Sequence, residues 1–81
     1  MTNKDFNKII CNRISELRKK QGLKIEQLAY QSGISKGGLS EIERCMKETR
    51  ILTIFKLCCG LGITTKEFFD FKEIDNFSNN M

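Results

Sequence analysis

The stretch Ile25–Arg44, IEQLAYQSGISKGGLSEIER, reads as two short helices joined by a tight turn. Leu28 and Ala29 give the first segment an apolar side, Gly33 interrupts it, and Leu39 and Ile42 repeat at i and i+3 on the second. A chain that reverses this soon after a helix needs a residue at positive φ, which glycine adopts without a Cβ clash. Ser35 stands where an N-cap belongs, its hydroxyl placed to accept from the backbone amides of the next turn. Ala29, four residues before Gly33, is small enough for the second helix to cross closely over the first. The result is helix-turn-helix geometry.

Outward from this pair, ISELRKKQGL precedes it and IFKLCCGLGITTKEFF follows it. With those flanks as first, fourth and fifth helices, residues 10–69 resemble the lambda-repressor-like (Xre-type) helix-turn-helix DNA-binding domain. The resemblance implies an all-α, five-helix bundle with a central helix-turn-helix over residues 1–71. Residues 72–81 are then expected to be a polar tail, either disordered or part of a dimer contact.

Size and composition agree with one such domain. A chain of 81 residues is near the lower limit for folding without a metal or disulfide staple, and neither a sensor domain nor a separate enzyme is expected within it. Proline is absent, which suits short packed helices, and a net charge of +4 leans toward a polyanionic partner. Cys11, Cys45, Cys58 and Cys59 contain no CxxC pair and the chain has no histidine, so structural thiols in a reducing cytosol are expected rather than a metal site. The opening MTNKDFNKIICNR scatters charge through the place of an apolar signal core, and no run is long enough to span a bilayer. A cytoplasmic protein without cofactor, metal or membrane is the expectation.

Within the flanks, residues 1–4 are expected to fray, and Phe6, Ile10, Ile14 and Leu17 recur at helical spacing as the inner face of a first helix ending near Gln21, where Gly22 stops it. Ile54, Leu57, Cys58 and Leu61 do the same for a fourth helix ending at Gly62. Thr64 or Thr65 caps a short fifth, whose Phe68 and Phe69 close the core. Leu52, Phe55, Cys59 and Phe71 are left apolar without an inward role and form a candidate dimer patch, which Ile74 and Phe77 extend.

The candidate nucleic-acid site follows from the third helix. With Leu39 and Ile42 inward, Lys36, Gly37, Ser40, Glu41 and Arg44 face out. The resemblance makes this the recognition helix, reading bases from its N-terminal half. Lys36 suits guanine O6 or N7, Ser40 donates or accepts, and Glu41 accepts from a cytosine amine. Bare backbone at Gly37 and Gly38 costs helix stability, about 1 kcal/mol each relative to alanine, and admits a closer approach to bases. Phosphate contacts are implied for Lys24, Ile25, Ser35, Arg44, Lys47 and Arg50, and a structural ion pair for Arg18 and Glu43.

Several positions depart from the family pattern. Lys24 and Ile25 replace a Thr or Ser cap followed by glutamine, so that a phosphate would meet only backbone amides and a point charge there. Cys45 replaces a glycine in the left-handed conformation, which costs a non-glycine residue roughly 1–2 kcal/mol. Thr49 stands where proline is common. The function expected is a sequence-specific double-stranded DNA-binding regulator, a bacterial or phage repressor acting as a homodimer by occupancy. An antitoxin or anti-regulator that works mainly through protein contacts is the alternative. A thiol enzyme built on Cys59 has no general base to support it.

Overall fold

The computed structural model describes residues 2–79, and among them all regular structure is helical: α1 (Asn3–Lys20), α2 (Ile25–Ser32), α3 (Lys36–Glu43), α4 (Ile51–Leu61), α5 (Thr65–Phe68) and α6 (Lys72–Asn79). Helices α2 and α3 are the central pair. Gly33, at φ 70°, closes α2 with the Ile34 amide bonded back to the Ala29 carbonyl at 3.0 Å. Gly22 and Gly62 end α1 and α4 at the same φ.

The core collects one stripe from every helix: Ile10, Ile14 and Leu17 of α1, Leu28 and Ala29 of α2, Leu39 and Ile42 of α3, Ile54, Leu57, Cys58 and Leu61 of α4, Phe68 of α5, and Ile74 of α6. The most extensive contact between two helices is that of α2 with α4. A Cβ added to Gly60 would collide with the Ser32 hydroxyl and come within 3.0 Å of the Ser32 backbone nitrogen. Gly60 therefore sets how near the fourth helix lies to the helix-turn-helix.

Two ends of the chain differ from expectation. Residues 2–4 are not frayed: Thr2 caps α1, its hydroxyl accepting from the Asp5 amide at 3.1 Å while the Asp5 carboxylate accepts from the Thr2 amide at 3.2 Å. This is a capping box with aspartate in the third position. At the other end, the segment expected to be a polar tail forms α6 over its described residues. Ile74 and Phe77 are buried, and the Phe77 ring meets Phe6 edge-on at a centroid distance of 5.4 Å. An apolar residue every third position makes one helical stripe, and α1 offers the surface that covers it. Phe6 is thus a partner for α6 and stays 40% exposed instead of joining the inner face, whose place on α1 is taken by fully buried Cys11. Residues 1, 80 and 81 lie outside the described part.

Candidate nucleic-acid interface

Ser35 starts the exposed third helix, accepting from the Gly38 amide at 2.9 Å. The two glycines that follow are not equivalent. A Cβ on Gly38 would stand 2.9 Å from Ser35 Oγ and displace the cap, whereas one on Gly37 would meet nothing within 4 Å. Lys36, Gly37 and Glu41 are exposed and Ser40 is half-buried, so that α3 presents one polar edge outward along its first two turns. Lys36 Nζ lies 3.9 Å from a Glu26 carboxylate oxygen of α2, both side chains being well exposed. A pair so wetted holds its partners weakly, and Lys36 leaves it at little cost.

The second anchor lies beneath α3. Arg18 of α1 donates from Nε to Glu43 Oε2 at 2.7 Å, from Nη2 to Glu43 Oε1 at 3.0 Å, and from Nη1 to the Leu23 carbonyl at 2.8 Å. The hydrogen-bonded Glu43 carboxylate raises the Arg18 pKa against the opposing effect of burial. This pair joins the end of α1, the start of the α2 loop and the last turn of α3, and so fixes the angle at which α3 stands on the bundle.

Beyond α3 the chain turns through Cys45, whose φ of 59° is the one positive value among non-glycine residues described. The Cys45 amide bonds to the Ile42 carbonyl and the Met46 amide to the Glu41 carbonyl, both at 3.0 Å, which is a Schellman closure with cysteine in the glycine position. The following loop is held by Asn7 of α1, whose amide donates to the Lys47 carbonyl at 3.0 Å and accepts from the Thr49 amide at 3.2 Å. In this way Lys47 and Arg50 are brought to one cleft of about 520 Å³ against Ile42 of α3, together with Glu48, Thr49 and Thr53.

The remaining phosphate candidates are more scattered in their circumstances. Lys24 is exposed at the N-cap of α2, where its amide donates to the Gln27 side chain at 2.8 Å. The Ile25 side chain packs on the core, leaving only its backbone at the helix N-terminus. Arg44 is exposed and folds back along its helix, Nε donating to the Ser40 carbonyl at 3.4 Å.

The four candidate dimer residues are not one patch. Leu52 and Phe55, 60% and 56% exposed, share the outer side of α4 with Ile51 and the exposed Cys59. Phe71 is instead partly buried against the core with the Arg13 guanidinium 4.7 Å above its ring. Arg13 also donates to the Phe68 and Glu67 carbonyls, both at 2.9 Å, which ties the end of α5 to α1.

Two residues passed over in the sequence stand out here. Asn7 positions the Lys47–Arg50 loop, and no local spacing announces a contact across 40 residues. Tyr30 is 88% exposed and stands one helical turn beyond Glu26, the residue that reaches Lys36. Its signal was present: a large aromatic on the outer face of α2, four residues from a charged neighbour of the recognition helix.

A short helix displayed by its polar edge, flanked by a cationic loop and braced from below, defines a helix-turn-helix domain of the DNA-binding kind. The chain matches the HTH_3 helix-turn-helix family over residues 14–68 and belongs to that family. It is 30% identical over 63 residues to y4dJ of Sinorhizobium fredii, described as an uncharacterized HTH-type transcriptional regulator, covering 78% of this chain and 82% of that one. Among solved structures it resembles an HTH_3 family transcriptional regulator from Vibrio cholerae, with 35% identity and a TM-score of 0.79 over 84% of this chain and 38% of that one. The restriction-modification controller protein C.AhdI from Aeromonas hydrophila is similar at 34% identity and a TM-score of 0.72, covering 80% of this chain and 97% of that one. Among the described residues no helix is long and apolar enough to cross a membrane.

Proposed function

We propose that this protein is a sequence-specific double-stranded DNA-binding transcriptional repressor of the cytoplasm that acts as a homodimer. The observation that carries the reading is the uncovered edge of α3, Lys36, Gly37, Ser40 and Glu41, beside a loop that gathers Lys47 and Arg50 into one cleft. A major groove admits one helix with its N-terminal residues toward the base edges, and loop cations beside it meet phosphates. The relatives named as transcriptional regulators support the same reading.

In this account the action is occupancy of a site and involves no bond chemistry. Lys36 donates to guanine once it leaves Glu26, Ser40 donates or accepts, and Glu41 accepts from cytosine, which keeps its carboxylate from facing only phosphates. Ser35 uses a lone pair for its cap and retains the hydroxyl proton for a phosphate oxygen. At α2 the phosphate meets the first-turn amides at Ile25 and Glu26, with Lys24 beside them as a point charge. Lys47, Arg50 and Arg44 complete the backbone contacts. Binding to a duplex selected from a random pool, measured by fluorescence anisotropy, is expected to weaken with salt at a log–log slope of about −0.9 per neutralised phosphate. A flat response between low and physiological salt overturns the reading.

The exposed Ile51, Leu52 and Phe55 on α4 favour one further statement, that this face meets protein. A second copy seated there sets two α3 helices about 34 Å apart on one face of the duplex and demands a palindromic site. The antitoxin or anti-regulator reading uses the same face for a different chain. Copurification of a stable heterologous partner without retardation of any duplex decides for it.

A further inference from the structure

Cys11 and Cys45 come from elements 34 residues apart, yet their Sγ atoms stand 2.6 Å from each other. Cys11 is fully buried on α1, and Cys45 is half-buried at the turn that ends α3. Asn7 closes over the pair, its amide reaching Cys45 Sγ at 3.6 Å while it grips the Lys47 carbonyl. A disulfide needs sulfurs at about 2.05 Å, and the two thiols already face each other across that junction. The remaining thiols do not compete for this place: Cys58 is in the core beside α2, and Cys59 points to solvent.

We propose that Cys11 and Cys45 form a two-electron redox site, closed to an intramolecular disulfide by a peroxide, that fastens the Lys47–Arg50 loop to α1. Cys45, the one of the pair that solvent reaches, attacks first. Its sulfur forms a bond to one peroxide oxygen as the O–O bond breaks, and hydroxide leaves, taking the thiol proton to become water. The sulfenic acid at Cys45 then receives the Cys11 sulfur: the S–S bond forms, the S–O bond breaks, and the departing hydroxide carries away the Cys11 proton as a second water. Two thiols lose two electrons and the peroxide gains them. Cys11, fully buried, offers the oxidant no exposed sulfur and lies in contact with Cys45, where it meets the sulfenic acid as that forms; burial and the neighbouring Cys45 push its thiol up to about 12. The placement of the thiols carries this site independently of the DNA-binding reading.

The test is hydrogen peroxide treatment of the full reduced chain, capping of residual thiols with N-ethylmaleimide, and mass spectrometry. The expected product is a monomer lighter by two hydrogens with two capped thiols, whose tryptic digest links the peptides 9–13 and 45–47. Dithiothreitol added before capping restores all four thiols. The mass loss is expected to vanish in Cys45→Ser, a half-exposed position that tolerates the change, and to persist in Cys59→Ser. A rise of the unfolding midpoint of about 15–30 °C on oxidation, reversed by dithiothreitol, is expected from closing a loop of this length. Overoxidation of Cys45 without a link, a Cys58–Cys59 link, intermolecular dimers only, or an unchanged midpoint overturns the proposal.

Discussion

Arg18 and Glu43 form a two-pronged ion pair between the first and third helices, with both donor–acceptor distances at or under 3.0 Å and side chains only 12% and 7% exposed. Such a pair does not by itself make the fold more stable than an apolar pair of the same shape, because both charges leave water. Its effect is geometric. The third prong, to the Leu23 carbonyl, means that one side chain fixes three chain segments at the foot of α3.

Glu43→Ala strands the Arg18 charge and is expected to lower unfolding free energy by about 2–4 kcal/mol, read by urea denaturation. Arg18→Lys is expected to lose most of the same amount, since an ammonium lacks the planar fork that serves both carboxylate oxygens. Equal stability of Glu43→Ala and the parent contradicts the assignment.

Gly37→Ala and Gly38→Ala separate helix stability from groove fit. An alanine at position 37 enters open space and is expected to raise stability by about 0.5–1 kcal/mol. At position 38 the new methyl crowds Ser35 Oγ, and the lost cap is expected to cost about 1 kcal/mol. If α3 enters the groove with its backbone near the bases, the stabilised Gly37→Ala protein binds its duplex more weakly than the parent. Thermal melts and anisotropy on the same samples check both statements.

Gly60→Ala forces α4 away from Ser32 of α2 and is expected to cost about 1–3 kcal/mol. The Ser32 hydroxyl at this crossing is buried, with no hydrogen-bond partner among the described residues. Ser32→Ala is therefore expected to leave stability equal to the parent or slightly above it. Denaturation midpoints of the two single variants test the crossing.

Phe55→Asp places a charge on the exposed side of α4 while leaving Ile54 and Leu57 in the core. Sedimentation velocity is expected to show a dimer for the parent and a monomer of unchanged helicity for the variant. Phe71→Ala, beneath Arg13, is expected instead to reduce stability without changing the association state.

The residues that decided the architecture carry their information locally. Gly33 after Leu28–Ala29, the Leu39–Ile42 step and the Ile54–Leu61 stripe each specify a face or a stop within one or two turns, and the structure has them so. Helix α6 was illegible for the converse reason. Eight residues do not make a helix stable alone, and α6 acquires an inner face only because Ile74 joins the core and Phe6 of α1 meets Phe77. The start of α1 was local and readable, but its capping box carries aspartate where glutamate is usual. At the candidate interface, the outward edge of α3 was written in its spacing, whereas the Asn7 clamp and the Cys11–Cys45 approach join positions 34 or more residues apart. Only the folded chain brings those together.

The central claim is that the N-terminal edge of α3 reads base pairs, and the most direct test compares duplexes selected from one random pool, at fixed salt, by the parent and by Lys36→Ala. The parent is expected to recover a palindromic consensus, and the variant the same consensus with discrimination relaxed by about 1–3 kcal/mol at a single guanine in each half-site. Recovery of no consensus by the parent, or of an identical one by both proteins, contradicts the account.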